Sequence, residues 1–367
     1  MVEWKKLETC LDFEQPTAYL VKSTEYDDSY DTPVLTAGQS LLLGYTNETD
    51  GVFRASKENP TIIFDDFTTS FHWIDFDFKV KSSAMKMLRP KKDVNFRYVY
   101  YSMCGINFVP GGHQRHWISK YSQFEIPIPS LAEQNRIVGI LDTFTSSIEN
   151  LKQQITQRRK QYEYFRDQLL DLEGKEEKDI HSWGEFCEMI KGNGVQKVDF
   201  IDEGIGCIHY GQIYTHYGPY TYETNKFVSK EVFEKARKAS KGDIIMTDTS
   251  ENVEDICKSV AYLGDDDIAV SNHALIIKHQ QNPKFLSFST QTNNFLVQKR
   301  KYVVGAKVSG IKPDHLALIK IYLPSLSEQQ CIVSILDTFE TSISNLKAQL
   351  KEREKQYEYY RNKLFTF

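Results

Sequence analysis

Asp65, Asp77 and Lys79 fall in a D…D-x-K order, in which two carboxylates and a lysine can hold a divalent metal against a phosphodiester, as in a metal nuclease. The surrounding pattern argues for something plainer. Ile74, Phe76, Phe78 and Val80 alternate with Asp75, Asp77 and Lys79, so Asp77 and Lys79 read as the exposed face of a half-buried strand. Asp265, Asp266 and Asp267 follow Gly264 and read as a solvated turn rather than a metal site. Gly192-Asn-Gly194 with Lys197 lacks the spacing of a phosphate-binding loop. Neither G-x-S-x-G nor H-E-x-x-H occurs, nor the Asn-Pro-Pro-aromatic element of an adenine aminomethyltransferase. The chain reads as non-catalytic.

A second chemistry is better represented. Hydroxyls, amides, imidazoles and tyrosines on loops beside strands suit base-edge reading and phosphate positioning. In the first part of the chain these are Thr68, Thr69, Ser70 and His72, with Lys86 nearby. In the second they are Tyr210, Gln212, Tyr214, Thr215, Thr247, Ser250, Ser271, Asn272, His273 and Lys307. Gly111-Gly-His-Gln-Arg-His116 adds a polar, basic loop. The same residue types are ordinary turn formers, so each position also has a purely structural reading.

The elements that must carry these loops are organised by a repeat. Pro129-Ser-Leu-Ala-Glu-Gln134 returns as Pro324-Ser-Leu-Ser-Glu-Gln329, an offset of 195 residues. From Ile126 to Leu169, about 27 of 44 positions match at that offset, a true internal repeat. Ser130 with Glu133, and Ser325 with Glu328, have the spacing of a capping box. Each then opens a heptad seam. The first runs Ile137, Leu141, Phe144, Ile148, Leu151, Ile155, Arg158, Tyr162, Phe165, Leu169, and the second from Ile332 to Leu364. Arg158 and Arg353 interrupt the two seams at one place. Each reads as a packed stem with its head in water; the alternative is a polar residue fixing the register. Outward positions Gln134, Arg136, Lys152, Gln329 and Lys347 are candidates for a partner surface.

Connectivity then predicts an α+β architecture: two mixed α/β domains joined by two long antiparallel coiled-coil helices about a pseudo-two-fold. The expected boundaries are residues 1–125, 126–175 (first helix), 176–320 and 321–367 (second helix). A seam of about 33 residues spans roughly 50 Å, about a turn and a half of B-DNA, which suggests a ruler. Gly174 is the expected cap of the first helix. Strands are expected at residues 61–64, 74–80, 243–247, 268–270 and 274–278, and helices at 95–104 and 230–239. The two domain segments look unlike each other.

The chain of 367 residues, with 40% hydrophobic and 26% charged residues, has a globular composition. A net charge of −5 counts against indiscriminate nucleic-acid binding, which depends on neutralising phosphates. The six cysteines form no C-x-x-C pair and read as reduced thiols in a cytoplasmic protein. No signal peptide or membrane span is expected.

With the paired P-S-L-x-E-Q…I-V-x-I-L-D-T-F motifs, each closing in K-Q-Y-E-Y-x-R, the chain resembles the specificity (S) subunits of type I restriction-modification enzymes. Pro33-Val-Leu-Thr-Ala-Gly38, the stretch from Phe64 to Trp73, Tyr210-Gly-Gln-Ile-Tyr-Thr215 and Val270-Ser-Asn-His-Ala274 are similar to parts of target recognition domains, so the likeness covers essentially the whole chain. Gln212 and Asn272 stand where the family more often has Asp and Gly. The resemblance implies a subunit that binds no cofactor and cleaves nothing. Each recognition domain would read half of a bipartite site in double-stranded DNA. Two methylation (M) subunits would carry S-adenosylmethionine and methylate adenine, and two restriction (R) subunits would use ATP and Mg. Two other classes stay open from the residues alone: a metal nuclease built on Asp65, Asp77 and Lys79, and a protein–protein scaffold.

Overall fold

A computed structural model describes residues 2–38, 40–112, 114–305 and 309–367. The chain divides into two compact units, Met1–Lys152 with Ala348–Phe367, and Gln153–Lys347. Two unbroken helices, Leu131–Leu170 and Leu326–Leu364, each give one part to each unit.

In the first unit a four-stranded antiparallel sheet has the order Leu11–Glu14, Met85–Pro90, Thr61–Asp65, Phe71–Ile74. A second sheet places Thr32–Leu35 between Leu42–Thr46 and the parallel Lys79–Val80. In the second unit the principal sheet runs Cys187–Lys191, Ala274–His279, Ile244–Thr247, Ser259–Tyr262, with Tyr220–Thr221 added at the edge. Its companion sheet has Ile205–Ile208 between an antiparallel strand, Lys226–Val228, and a parallel one, Ile268–Val270. Segments that look unrelated in sequence thus share one topology. Each of the two sheet-bearing segments also begins and ends in a two-stranded ladder: Glu3–Lys6 with Glu125–Ile128, and Ile180–Ser182 with Lys320–Tyr322.

After Met85–Pro90 and after Ala274–His279, the last strands in chain order of these two sheets, an asparagine caps a helix. Asn95 opens Phe96–Cys104 by accepting from the Tyr98 N–H at 3.0 Å. Asn282 opens Pro283–Ser289 by accepting from the N–H groups of Lys284 and Phe285. Each of these helices packs on its unit's part of the long helices. Tyr98, Tyr101, Ile137 and Leu141 share one core, with Tyr357 and Leu364 against it. Phe285, Phe288, Tyr162, Ile332 and Leu336 share the other.

The join is polar as well as apolar. Gln134 accepts from the Asn95 N–H at 2.9 Å and donates to the Pro129 carbonyl at 2.9 Å. Gln329 repeats this with the Asn282 N–H at 3.0 Å and the Pro324 carbonyl at 2.8 Å. Both glutamines are buried, so neither faces outward as the helical spacing suggested. Asp142 binds the Arg97 guanidinium at 2.9 Å, and that guanidinium lies over the Trp73, Tyr100 and Tyr101 rings. Asp337 pairs with Lys284 at 2.7 Å, whose ammonium sits 3.7 Å from the Tyr220 ring centroid.

Within each unit the long helices run antiparallel. In the first, Phe144 stacks on Tyr360 with centroids 5.3 Å apart, and Lys152 pairs with Glu354. In the second, Phe165 stacks on Phe339 at 5.5 Å. Arg353 lies over Phe144 at 5.6 Å and Arg158 over Phe339 at 5.9 Å. The seam arginines therefore bind aromatic faces at the helix surface rather than acting as buried polar residues.

Other expectations need correction. Ser130 and Ser325 cap the N–H groups of Glu133 and Glu328, but the boxes are one-sided. Glu133 turns to Arg136, and Glu328 accepts from the Tyr322 hydroxyl. The first helix stops at Leu170, where Asp171 takes the Leu172 N–H; Gly174 (φ 75°) turns the chain beyond it. The alternating run 74–80 is interrupted, and its Lys79 is buried, paired with Glu48 at 2.9 Å and donating to the Asp50 carbonyl. The helix from 230 ends at Lys235, and Arg237–Ala239 is a strand.

Gln134→Ala would strand a buried N–H and a buried carbonyl. It is expected to destabilise the protein by about 1–3 kcal/mol, read as a lower urea midpoint for the transition that reports the first unit.

Candidate nucleic-acid interface

The first candidate surface is the hairpin turn between Thr61–Asp65 and Phe71–Ile74. Asp65 shapes it by accepting from the N–H groups of Phe67 and Thr68, each at 2.8 Å, while Thr69 adopts a left-handed φ of 59°. That conformation is costly for a β-branched residue and marks a specified turn. Thr68 and Ser70 present hydroxyls 2.6 Å apart, with Thr68 exposed. Ser70 donates to the Ala37 carbonyl, and His72 Nε2 meets the Gly38 carbonyl at 2.9 Å. Thr69 itself is nearly buried.

Beneath the turn lies a buried ion pair. Lys86 is 1% exposed and meets Asp66 at 2.9 Å, with Gln15 at 3.2 Å. Lys86 is therefore not a DNA contact but the counter-ion that permits Asp66 to be buried. Asp66 in turn accepts the Trp117 N–H at 2.7 Å, and its carbonyl takes the His116 N–H. His116 is itself buried against Phe108, Arg115 is exposed, and His113 lies outside the described residues.

The second surface is a cleft of about 550 Å³ with Tyr210, Tyr214, Ser250 and His273 in its walls. Tyr210 begins the short helix Tyr210–Thr215, which His209 and Gln212 cap reciprocally. Burial, with Lys197 and His273 nearby, holds the His209 imidazole below its ordinary pKa. This suits its role as an acceptor for the Gly211 N–H at 3.1 Å. Gln212 is occupied at both ends, by the His209 N–H and by Asn225. Tyr214 donates to the Thr249 carbonyl, and Thr215 to Gly211. His273, left-handed at φ 63°, stays half exposed with Nδ1 3.3 Å from the Thr249 hydroxyl. Asn272 is exposed and fixes the Gly194 N–H.

Two named residues lie below the surface. Thr247 is buried and donates to the Asp255 carbonyl. Ser271 is buried and accepts from the Tyr210 N–H. Both shape the rim rather than touching a ligand. Lys307 lies outside the described residues.

Asp248 occupies the place in this domain that Asp66 has in the other. Its N–H donates to the residue just before a sheet strand, His273, as that of Asp66 does to Ala84. Its carbonyl accepts from Ile311, as that of Asp66 does from His116. Lys191 supplies the cation at 3.2 Å. The nuclease reading has no such support. Asp65 caps its turn, Asp77 holds Arg54 and the Ala55 N–H, and Lys79 belongs to Glu48.

The sequence pattern of the type I restriction modification DNA specificity domain matches residues 2–158 and again residues 176–354. The chain belongs to this family. It is 37% identical to the EcoR124I/EcoR124II type I restriction enzyme specificity subunit of Escherichia coli, across all of this chain and 94% of that one. A second specificity subunit, from Haemophilus influenzae, is 27% identical over the full chain and 96% of its own length. The crystal structure of an S subunit from M. genitalium superposes with a TM-score of 0.61 at 16% identity, covering all of this chain and 96% of that one. The chain is thus a type I specificity subunit with two recognition domains, each followed by its long helix. Among the described residues no helix is long and apolar enough to cross a membrane.

For this specificity subunit, the sequence named Tyr210, Tyr214, Ser250 and His273 of the cleft walls but missed four other lining residues. These are Thr249, Glu251, Asn252 and Asp255. The signal that could have found them is the strand end at Thr247, after which burial must give way to a rim. Of the partner candidates, Arg136, Lys152 and Lys347 are exposed.

Lys86→Ala leaves Asp66 buried without its cation and is expected to cost about 3–5 kcal/mol in a denaturant titration. Thr68→Ala, on the exposed rim, should move the same midpoint by less than about 0.5 kcal/mol.

Proposed function

We propose that this chain is the non-catalytic reader of a type I restriction-modification complex, each recognition domain reading one half of a bipartite, asymmetric site in double-stranded DNA. The observation that carries the reading is two copies of one frame bearing unlike rims. One rim is a tight hydroxyl turn and the other a tyrosine-walled cleft. Side chains of these types bond to base edges and phosphates. The long helices fix the number of unread base pairs between the half-sites.

The chain takes no cofactor of its own. S-adenosylmethionine, ATP and magnesium belong to its partners: two methylation subunits, which modify adenine, and two restriction subunits. The helices support two copies of one partner, because exposed aromatic pairs recur at the repeat offset, Tyr164 with Phe165 and Tyr359 with Tyr360. Arg136, Lys152 and Lys347 add charge to the helix surfaces. Partners that close around the duplex would share the phosphate contacts that an acidic chain supplies sparsely. The complex would act in the prokaryotic cytoplasm.

The test is a map of methylated adenines in cells carrying this gene and its neighbouring methyltransferase. A split motif with a constant gap, lost on deletion of this gene, is the expected result; an unchanged map would refute the reading. Replacing residues 1–125 with another recognition domain should alter one half-site and leave the other half and the gap intact. Tyr164→Asp combined with Tyr359→Asp, the two aromatics of these pairs that do not stack across the helix seam, is expected to weaken co-purification with the methyltransferase at least about tenfold.

A further inference from the structure

The cleft of the second domain holds a carboxylate that the described residues around it do not use. Glu251 lines the cleft and is exposed, with no hydrogen-bond or ion-pair partner among the described residues. Neighbouring carboxylates are all engaged. Asp248 meets Lys191, Glu254 meets Arg300 at 2.9 Å, and Asp255 accepts from the Asn252 side-chain amide at 2.8 Å.

The backbone carrying Glu251 is held from several sides. Asn252 donates its N–H to Ser250 and accepts from the Asp255 N–H at 2.8 Å. The buried ammonium of Lys299 donates to the carbonyls of Glu254 and Ile256, the first at 2.7 Å. Cys257, left-handed at φ 61°, returns its N–H to the Thr247 carbonyl at 2.9 Å. Lys299 is thus a positioning residue for the rim, and the Glu251 carboxylate stands on a prepared loop.

On a surface that approaches DNA, an unpaired carboxylate is repelled by phosphates and gains only from a donor on a base edge. In the major groove those donors are exocyclic amino groups, N4 of cytosine and N6 of adenine, and carboxylates accept characteristically from cytosine N4. We infer that Glu251 is a specificity-determining residue of the second domain, reading one base that presents an amino group in the major groove. This rests on the proposed DNA-reading function. Cytosine is the expected base, and an adenine in its place would carry the same chemistry.

The experiment is the methylation map repeated with Glu251→Gln and Glu251→Ala in the full chain beside its methyltransferase. The wild-type motif should show cytosine or adenine at one position of the second half-site, and its identity distinguishes the two amino donors. Both variants should relax that position by roughly tenfold or more, with the first half-site and the gap unchanged. Glu251→Gln should shift preference toward adenine, whose N6 and N7 match an amide. An unchanged motif overturns the inference, and so does a change at the first half-site. Loss of all methylation by both variants also overturns it, since an exposed side chain that reads one base should alter the motif and not abolish it. Absence of any split motif with the wild-type chain would instead refute the DNA-reading function itself.

Discussion

A buried carboxylate one residue past the end of a sheet strand is the constraint on which each recognition domain depends. Left alone, such a charge would be intolerable in a protein interior. Asp66 and Asp248 are accommodated because a lysine and backbone or hydroxyl donors converge on each. To make that convergence, the strand end, the start of a neighbouring strand and a distant loop must all be in place. In the first domain the Asp66 side chain ties its own strand end to Lys86 and Trp117; in the second the Asp248 carboxylate meets Lys191 while its backbone holds His273 and Ile311. What projects beyond these aspartates is free to differ, and does: a two-hydroxyl hairpin in one domain, a cleft between tyrosines in the other.

The same logic governs the joins to the helices. Gln134 and Gln329 satisfy a helix-cap N–H and a proline carbonyl at once, so the angle at which a domain meets its helix is set by hydrogen bonds as well as by packing. The caged cations beside them are chemically different, Arg97 and Lys284, yet each meets an aspartate at the same position of the repeat. Geometry has been kept while side chains have changed. That is how two segments without obvious sequence kinship hold a common strand order.

The helices were the most legible part of the sequence, because heptad spacing and a serine cap are local signals repeated twice. Buried strands such as Ile244–Thr247 and Ala274–His279 were legible from apolar runs. Lys79 was misread because alternation assumes one wet face. Here Lys79 lies in a short strand of the second sheet with its side chain buried, and Glu48 with the Asp50 carbonyl makes that ammonium tolerable. Lys86, Thr247 and Ser271 were misjudged for a related reason: polar residues near a functional rim either face the ligand or support the backbone that does, and composition does not separate the two. The glutamines were misplaced because a helical wheel shows which face a residue occupies, not that another domain's backbone lies against it. The pairing of Asp66 with Lys86, twenty residues apart, had no sequence signal.

The short ladders at the base of each domain have an evolutionary meaning. Because Glu3–Lys6 lies beside Glu125–Ile128, and Ile180–Ser182 beside Lys320–Tyr322, each domain's chain enters and leaves through neighbouring strands. A DNA segment bounded by those strands encodes a cassette whose two ends meet in space. Crossovers within the repeated helix codons would therefore exchange whole domains between genes while keeping the repeated glutamines, Gln134 and Gln329, that receive them. Exchange of a whole domain replaces its rim in one step, where point mutation changes one side chain at a time.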